Sequence, residues 1–554
     1  MAAAEDKFTS SACAASAAIK ARLSRDVWLA LSWAGLCFVC VLIAGFGTDA
    51  GITYDEKLQV EYGDLILEWY RSGFVNSSAL HFHNLYLYGG LFDAFAQLLS
   101  LLSPLGVYDT RHILTACVAA MGLVATWQLA ATLGGSRAGF IGATLLLLTP
   151  TWTGHGLFNP KDIPFGTAAA FAMVMTMRVL VSSEGLSGRN TALAGVALGT
   201  ALAVRPGGVF LLFFFLAAVT IRCLLEKYAK PVAVLTQSRQ PHAVRRVIAV
   251  MMIAWALMLL AWPWGQVSPI LHPLRAVAAA AHFDFKGLVL FDGRLFPAKS
   301  LPARYLPVWC SITLPETYLA ALAAAAYLAV RTTNEGSCDP RKRAALLLLC
   351  AAIATPFALA VTGHLVLYDA YRHVLFVLPW IAALAAYALT RFFAVARRLE
   401  KHVMLAACFA TSMTTAAAMV RLHPYEYVYF NPIFGGLPAA AQRYETDYWG
   451  ASYYEGLKWV IDEAKAKSRS KVRIGWCTDW IPLDYYVHDD RNAQPRVELT
   501  NAHKPDYYLY IDRYMCTRRL PHGRLAHAVK REGVPLLYIL DLRQGLVSAP
   551  EHAN

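Results

Sequence analysis

The sequence predicts a polytopic α-helical membrane protein of about 11 spans, with a small C-terminal α/β domain on the outer side. Three observations predict it. Of 554 residues, 57% are hydrophobic and only 16% are charged, which excludes a soluble enzyme with a single anchor. Apolar runs recur from residue 28 to about residue 421, and a run of roughly 20 residues at about 1.5 Å rise crosses about 30 Å of hydrocarbon. Lys and Arg gather in the short loops between those runs, the pattern of cytoplasmic loops. Beyond residue 421 the texture turns polar for roughly 130 residues, enough for one small domain. The chain thus divides into a cytoplasmic tail (1–26), a membrane module (27–421) and an outer, periplasmic domain (422–554).

The tail is small and polar, with the composition of a disordered segment. The first apolar run, 28–47, is longer than a signal-peptide core and lacks a convincing small-residue cleavage site, so it reads as a retained span. The following spans are 111–132, 138–152, 165–182, 190–204, 207–225, 246–262, 307–330, 344–362, 373–390 and 402–420. The stretch 85–103 is also apolar, and loop charge decides its status. If it crosses, every later basic loop faces outward: Arg137, Arg189, the run from Lys227 to Arg246, the group at Arg331, Arg341, Lys342 and Arg343, and that at Arg391, Arg397, Arg398 and Lys401. If it lies in the interface, all of these fall inside with Lys20, Arg22 and Arg25. The second arrangement places 48–110, 153–164, 205–206, 263–306, 363–372 and the C-terminal part outside. In that part, a helix is expected over Tyr448–Ala466 and strands over 472–477, 506–511 and 535–541, an alternation typical of a small α/β unit.

The net charge of +13 does not indicate nucleic acid, because it sits in those loops and forms no basic stripe interleaved with aromatics. Most cysteines lie in or beside apolar runs as small hydrophobes; Cys477 and Cys516 share the outer domain and can pair in an oxidising compartment. No CxxC or Cys/His cluster suggests zinc. His81 and His83 have metal-compatible spacing, but their aromatic neighbours fit an interfacial anchor equally well. The segment with Trp262, Trp264, His282, Asp284, Asp292 and Arg304 reads as an interface-hugging cap.

The outer loops carry the chemistry. Thr53-Tyr54-Asp55-Glu56 follows the first span. His155-Gly156-Leu157-Phe158-Asn159-Pro160-Lys161-Asp162-Ile163-Pro164 joins two spans, and its prolines and glycine exclude regular helix. Arg205-Pro206-Gly207-Gly208 forms the next outer turn, and Tyr368-Asp369-Ala370-Tyr371-Arg372-His373 precedes a late span. Two acids, Asp55 and Asp162, and three cations, Lys161, Arg205 and Arg372, therefore meet at one membrane face. Such cations bind a lipid-linked sugar phosphate and stabilise it as it leaves, while a separate carboxylate deprotonates an acceptor. In-line attack at the anomeric carbon then inverts its configuration. The competing class is a transporter or flippase of a lipid-linked or anionic substrate, which also concentrates charge at membrane edges.

The acid pair, the Asn159-Pro160-Lys161-Asp162 motif, Tyr371-Arg372-His373, and the passage from Tyr429-Phe430-Asn431-Pro432 to Asp447-Tyr448-Trp449-Gly450 resemble the C-type superfamily of membrane glycosyltransferases. That group includes protein O-mannosyltransferases and the bacterial lipid A aminoarabinose transferase. The resemblance spans roughly residues 28–460. It implies juxtamembrane helices in the first outer loop, a polyprenyl-phosphate sugar donor, a lipid, glycan or protein acceptor, and a multi-pass location in a bacterial inner membrane. Carried onto this chain, it makes Asp55 the base, Glu56 its neighbour and Asp162 a second acidic contributor. Lys161, Arg205, Arg372 and His373 are the expected donor-phosphate ligands. Lys161-Asp162 stands where a metal-dependent member would carry DxD, which favours lysine in place of a divalent cation; no cofactor is required, and a divalent metal is the alternative.

Overall fold

The computed structural model describes residues 27–228, 243–281, 285–331, 339–362, 366–477, 483–488, 496–500, 504–517 and 520–543. The expected tail 1–26, most of the basic run between Lys227 and Arg246, and His282 and Asp284 lie outside the described residues. Helix α1 (Val27–Phe46) has a single buried residue, Val39, as a span at the edge of a bundle does. Two helices of the first loop, α2 (Tyr54–Arg71) and α3 (Leu91–Ser100), precede α4 (Val107–Gly134). At ten residues, α3 is too short to cross a bilayer, consistent with the reading of 85–103. Gly89 explains how this loop sits so close to the bundle. A Cβ there would lie 2.1 Å from the carbonyl oxygen of Ala203, and the next amides, Gly90 N and Leu91 N, donate to Ala261 O and Ala203 O at 3.1 Å each.

Then follow α5 (Ser136–Leu147), α6 (Pro150–Phe158), α7 (Asp162–Val181), α8 (Gly188–Leu202), α9 (Val209–Tyr228), α10 (Ala243–Leu260), α11 (Pro263–Val267) and α12 (Leu271–Ala281). A hairpin of β1 (Leu288–Phe291) and β2 (Arg294–Pro297) leads to α13 (Tyr305–Thr313), α14 (Thr317–Arg331), α15 (Pro340–Thr362), α16 (Leu378–Val395) and α17 (Arg398–Leu422). Helix lies over each of the eleven expected segments. Among the described residues, eight helices are long and apolar enough to cross a membrane, or nine if one bent pair is counted as a span.

Two expectations need correction. The segment 307–330 is not one straight helix: α13 and α14 meet at 107°. Leu314 is extended (φ −73°, ψ 137°), the conformation imposed by the following Pro315. Conversely, 153–164 contains regular helix. Pro150 opens α6 and Pro164 sits in the first turn of α7, where a missing N–H costs nothing, so the break shrinks to Asn159–Lys161.

After α18 (Gly436–Ala440), the C-terminal part comprises α19 (Tyr453–Ala466), β3 (Lys471–Trp476), α20 (Leu483–His488), β4 (Arg496–Leu499), β5 (Tyr507–Ile511), α21 (Tyr514–Thr517), β6 (Arg524–Arg531) and β7 (Val534–Asp541). The sheet runs β4-β3-β5-β7-β6, with β3 parallel to both neighbours and β7 antiparallel to both of its own. The expected helix starts five residues late for a clear reason. Asp447 accepts hydrogen bonds from the amides of Gly450, Ala451 and Ser452 at 2.7, 3.2 and 3.1 Å, which winds Tyr448–Ser452 into a turn around its carboxylate. Cys477 and Cys516 form a disulfide.

Candidate active site

The break between α6 and α7 is built by Asn159. Its Oδ1 accepts from the amides of Lys161 (3.2 Å) and Asp162 (2.8 Å), while its Nδ2 donates to Asp162 Oδ2 (2.9 Å) and to His155 Nδ1 (3.0 Å). Because Nδ1 of His155 accepts, Nε2 carries the proton and donates to Tyr448 Oη at 3.0 Å. Burial pushes His155 down to about 4, so this histidine is a neutral strut.

Asp162, at the start of α7, is buried between two arginines. Arg205 pairs with Oδ1 and Arg372 lies 3.4 Å from Oδ2. Arg372 also donates through Nε to Asp369 Oδ2 (3.1 Å) and is stacked between Tyr368 and Trp449, 4.9 Å from each ring. Asp369 and Ala370 both have positive φ (55° and 57°), a strained turn that folds Arg372 back onto Asp369. The turn is held by Trp449 Nε1 to Asp369 Oδ2 (3.1 Å) and Tyr305 Oη to Ala370 O (3.0 Å). His373 packs its ring edge-on against Tyr368 at 4.6 Å, with Nδ1 buried and unpartnered among the described residues.

Arg513, from the turn after β5, completes the cluster and escaped the sequence reading. Its guanidinium donates to Asp369 Oδ1 (2.8 Å), to Tyr448 O (2.6 Å) and to Tyr54 Oη, and lies 3.6 Å from Glu445. It thereby ties the C-terminal sheet to the first turn of α2, where Asp55 stands. No signal distinguishes it from other arginines of a polar domain; only the fold brings it here. Asp369 was within reach of reading, since Asp-x-x-Arg places an acid three residues before the cation it holds.

The acid pair separates. Glu56 is fully buried: its Oε2 accepts from Thr53 N (2.8 Å) and Thr53 Oγ1 (3.0 Å), and its Oε1 meets His112 Nε2 at 2.8 Å. Thr53-x-x-Glu56 is a capping box, a helix-start signal present in the sequence. Asp55 is half-buried, within electrostatic reach of Tyr54, Tyr368 and Arg372, and among the described residues it accepts no hydrogen bond and pairs with no cation. Glu56→Ala is expected to cost about 2–4 kcal/mol of stability through the orphaned cap and His112, while transfer per folded molecule falls less than about tenfold. Melting curves beside activity normalised to folded protein check this.

Lys161 is the counterpart of Asp55 among the cations. Its Nζ lies 4.6 Å from the centre of the Tyr88 ring and within electrostatic reach of Asp93 and His373. Of the four cations here, Lys161 alone has no carboxylate at ion-pair distance among the described residues. His81 and His83 are exposed and apart from the cluster, and among the described residues no three His, Cys, Asp or Glu side chains gather as metal ligands would.

Glu445 gives the cluster a pH dependence. Burial pushes its carboxyl up to about 7, against the pull of Arg513. A raised folded-state value favours the fold fully below the ordinary 4.5, and that contribution is lost as pH rises through 7. Glu445→Gln is therefore expected to melt higher than the wild type at pH 8, by up to about 3 kcal/mol, and to lose that advantage near pH 5. Thermal unfolding across that range checks the sign.

No family model matches the chain, and no curated protein sequence matches it. Among solved structures, it is similar to ArnT from Cupriavidus metallidurans bound to undecaprenyl phosphate, at 13% identity and TM-score 0.47, covering 92% of this chain and 98% of that one. The apo form of the same protein gives 14% identity and TM-score 0.45 over the same shares. The archaeal oligosaccharyltransferase AglB from Archaeoglobus fulgidus, in complex with an inhibitory peptide and a dolichol-phosphate, gives 12% and 0.40, covering 70% of this chain and 54% of that one.

Proposed function

We propose that this chain is an inverting glycosyltransferase that moves a sugar from a polyprenyl-phosphate donor to a lipid, glycan or protein acceptor at the outer face of a bacterial inner membrane. The observation that carries the reading is the division of labour in the charged cluster. Asp162 and Asp369 are shared by Arg205, Arg372 and Arg513 in a buried lattice of ion pairs, which leaves one carboxylate, Asp55, and one ammonium, Lys161, without ion-pair partners among the described residues. A carboxylate without a partner is a base; an ammonium without one receives a phosphate.

In this mechanism an acceptor hydroxyl or amine gives its proton to Asp55 as its heteroatom attacks the anomeric carbon. The bond from that carbon to the phosphate oxygen breaks on the opposite side. The departing phosphate takes up the bonding pair and is stabilised by Lys161, with Arg205, Arg372 and His373 lining its surroundings. Glu56 serves as the cap of α2, and Asp162 positions the two arginines. The fixed cations stand in for a divalent metal.

The test is transfer of label from a radiolabelled polyprenyl-phosphate sugar to membrane extract by the purified full chain. Transfer that persists in EDTA is the expected result. Labelled lipid that crosses liposomes with no transfer would instead identify a flippase.

A further inference from the structure

A second site lies on the opposite face of α6. Thr153, Gly156 and Leu157, spaced i, i+3 and i+4, face away from His155 and Asn159 and line an apolar cavity of about 440 Å³ between α1, α4, α6 and α17. Leu42, Ala120, Leu148 and Met419 form its walls, and exposed Phe46 and Val420 leave it open on the lipid side. The volume is that of a ligand pocket rather than a packing defect.

One end of this cavity is acidic. Glu426 and His423 line it. His423 Nδ1 lies 2.6 Å from Glu426 Oε1, and its Nε2 lies 3.1 Å from Asp49 Oδ2. The other Glu426 oxygen, Oε2, is buried and has no hydrogen-bond partner among the described residues, although the residue is only 5% exposed. Such an oxygen is costly without a donor. Even a charged imidazole leaves two carboxylates with a net negative charge. The nearby arginines do not reverse it, since Arg531 is paired with Glu455 at 2.8 Å and Arg421 with Glu532 at 3.1 Å. Helices α1 and α17 both end here by their C-termini, adding negative potential from their last carbonyls.

We propose that this groove binds an amine-headed membrane lipid, with one acyl chain along the apolar walls and the ammonium donating to Glu426 Oε2. The acidic mouth disfavours a phosphate monoester head, so the site is distinct from the donor site and does not depend on the glycosyltransferase reading. The test uses the purified full chain in detergent, titrated with dioleoyl phosphatidylethanolamine, dioleoyl phosphatidylglycerol or undecaprenyl phosphate, with bound lipid counted by native mass spectrometry. The ethanolamine lipid is expected to bind at least about tenfold tighter than the glycerol lipid. Glu426→Gln should bring the two within about twofold, and Ala416→Trp, which fills the groove, should abolish ethanolamine-lipid binding. Asp49→Asn, at a more exposed position, should narrow the preference if Glu426→Gln does not fold. Equal affinity for the two phospholipids, an unchanged preference in both head-site variants, or displacement of the ethanolamine lipid by undecaprenyl phosphate would overturn the proposal.

Discussion

Asp55→Asn is expected to lower transfer by about 10²–10⁴-fold with donor affinity and folding unchanged. The size follows from the loss of proton transfer in the transition state: an amide has the shape of the carboxylate but does not take a proton at working pH. The selectivity follows from the structure. Because Asp55 is half-buried and has no hydrogen bond or ion pair among the described residues, its replacement breaks no native contact, and the stability change should stay within about 0.5 kcal/mol. The measurement is kcat and donor Kd for both proteins, with melting curves alongside. Transfer within a few-fold of the wild type would remove Asp55 from the role of base. Comparison with Glu56→Ala, its neighbour along the chain, sharpens the result, since that variant should lose stability and keep chemistry.

The membrane elements were legible because a bilayer imposes a length: apolar runs near twenty residues leave few alternatives, and helix covers every expected segment. The differences lie at helix breakers. Gly156 and Pro164 argue against helix in the sequence, yet Gly156 lies within α6 and Pro164 in the first turn of α7, where proline is tolerated; Pro160 does sit in the break between them, and Pro315, inside an expected span, breaks that span. The site was legible as an inventory and not as an arrangement. Asp162, Arg205 and Arg372 could be named from their loops, but pairing across 210 residues between Asp162 and Arg372 depends on how α7 packs against the helical turn Arg372–Val377 that leads into α16. Arg513 lies 144 residues from Asp369 in a different part of the chain, and nothing local marks it. The separation of Asp55 from Glu56 was readable in principle, because Thr-x-x-Glu at the start of a helix commits the glutamate to the cap.

Lys161→Met carries the second large effect, a loss of about 10²–10³-fold in kcat together with weakened donor binding. Arg205 and Arg372 are the more conspicuous cations, yet their charge is already answered by Asp162 and Asp369. Against Lys161, Arg205, Arg372 and Arg513 stand Asp55, Asp162 and Asp369, while burial keeps the proton on Glu445 up to about pH 7. The balance is one positive charge, and of the four cations Lys161 is the one with no carboxylate at ion-pair distance among the described residues. A phosphate gaining charge as it leaves is stabilised most by the cation that need not abandon another partner. Methionine keeps most of the aliphatic length over Tyr88 and removes only the charge, so the fold should survive. Lys161→Arg should recover part of the rate. Single-turnover rates and donor Kd separate the two losses; if Lys161→Met stays within about threefold of wild type while Arg205→Met loses more, the phosphate is held by the paired arginines instead.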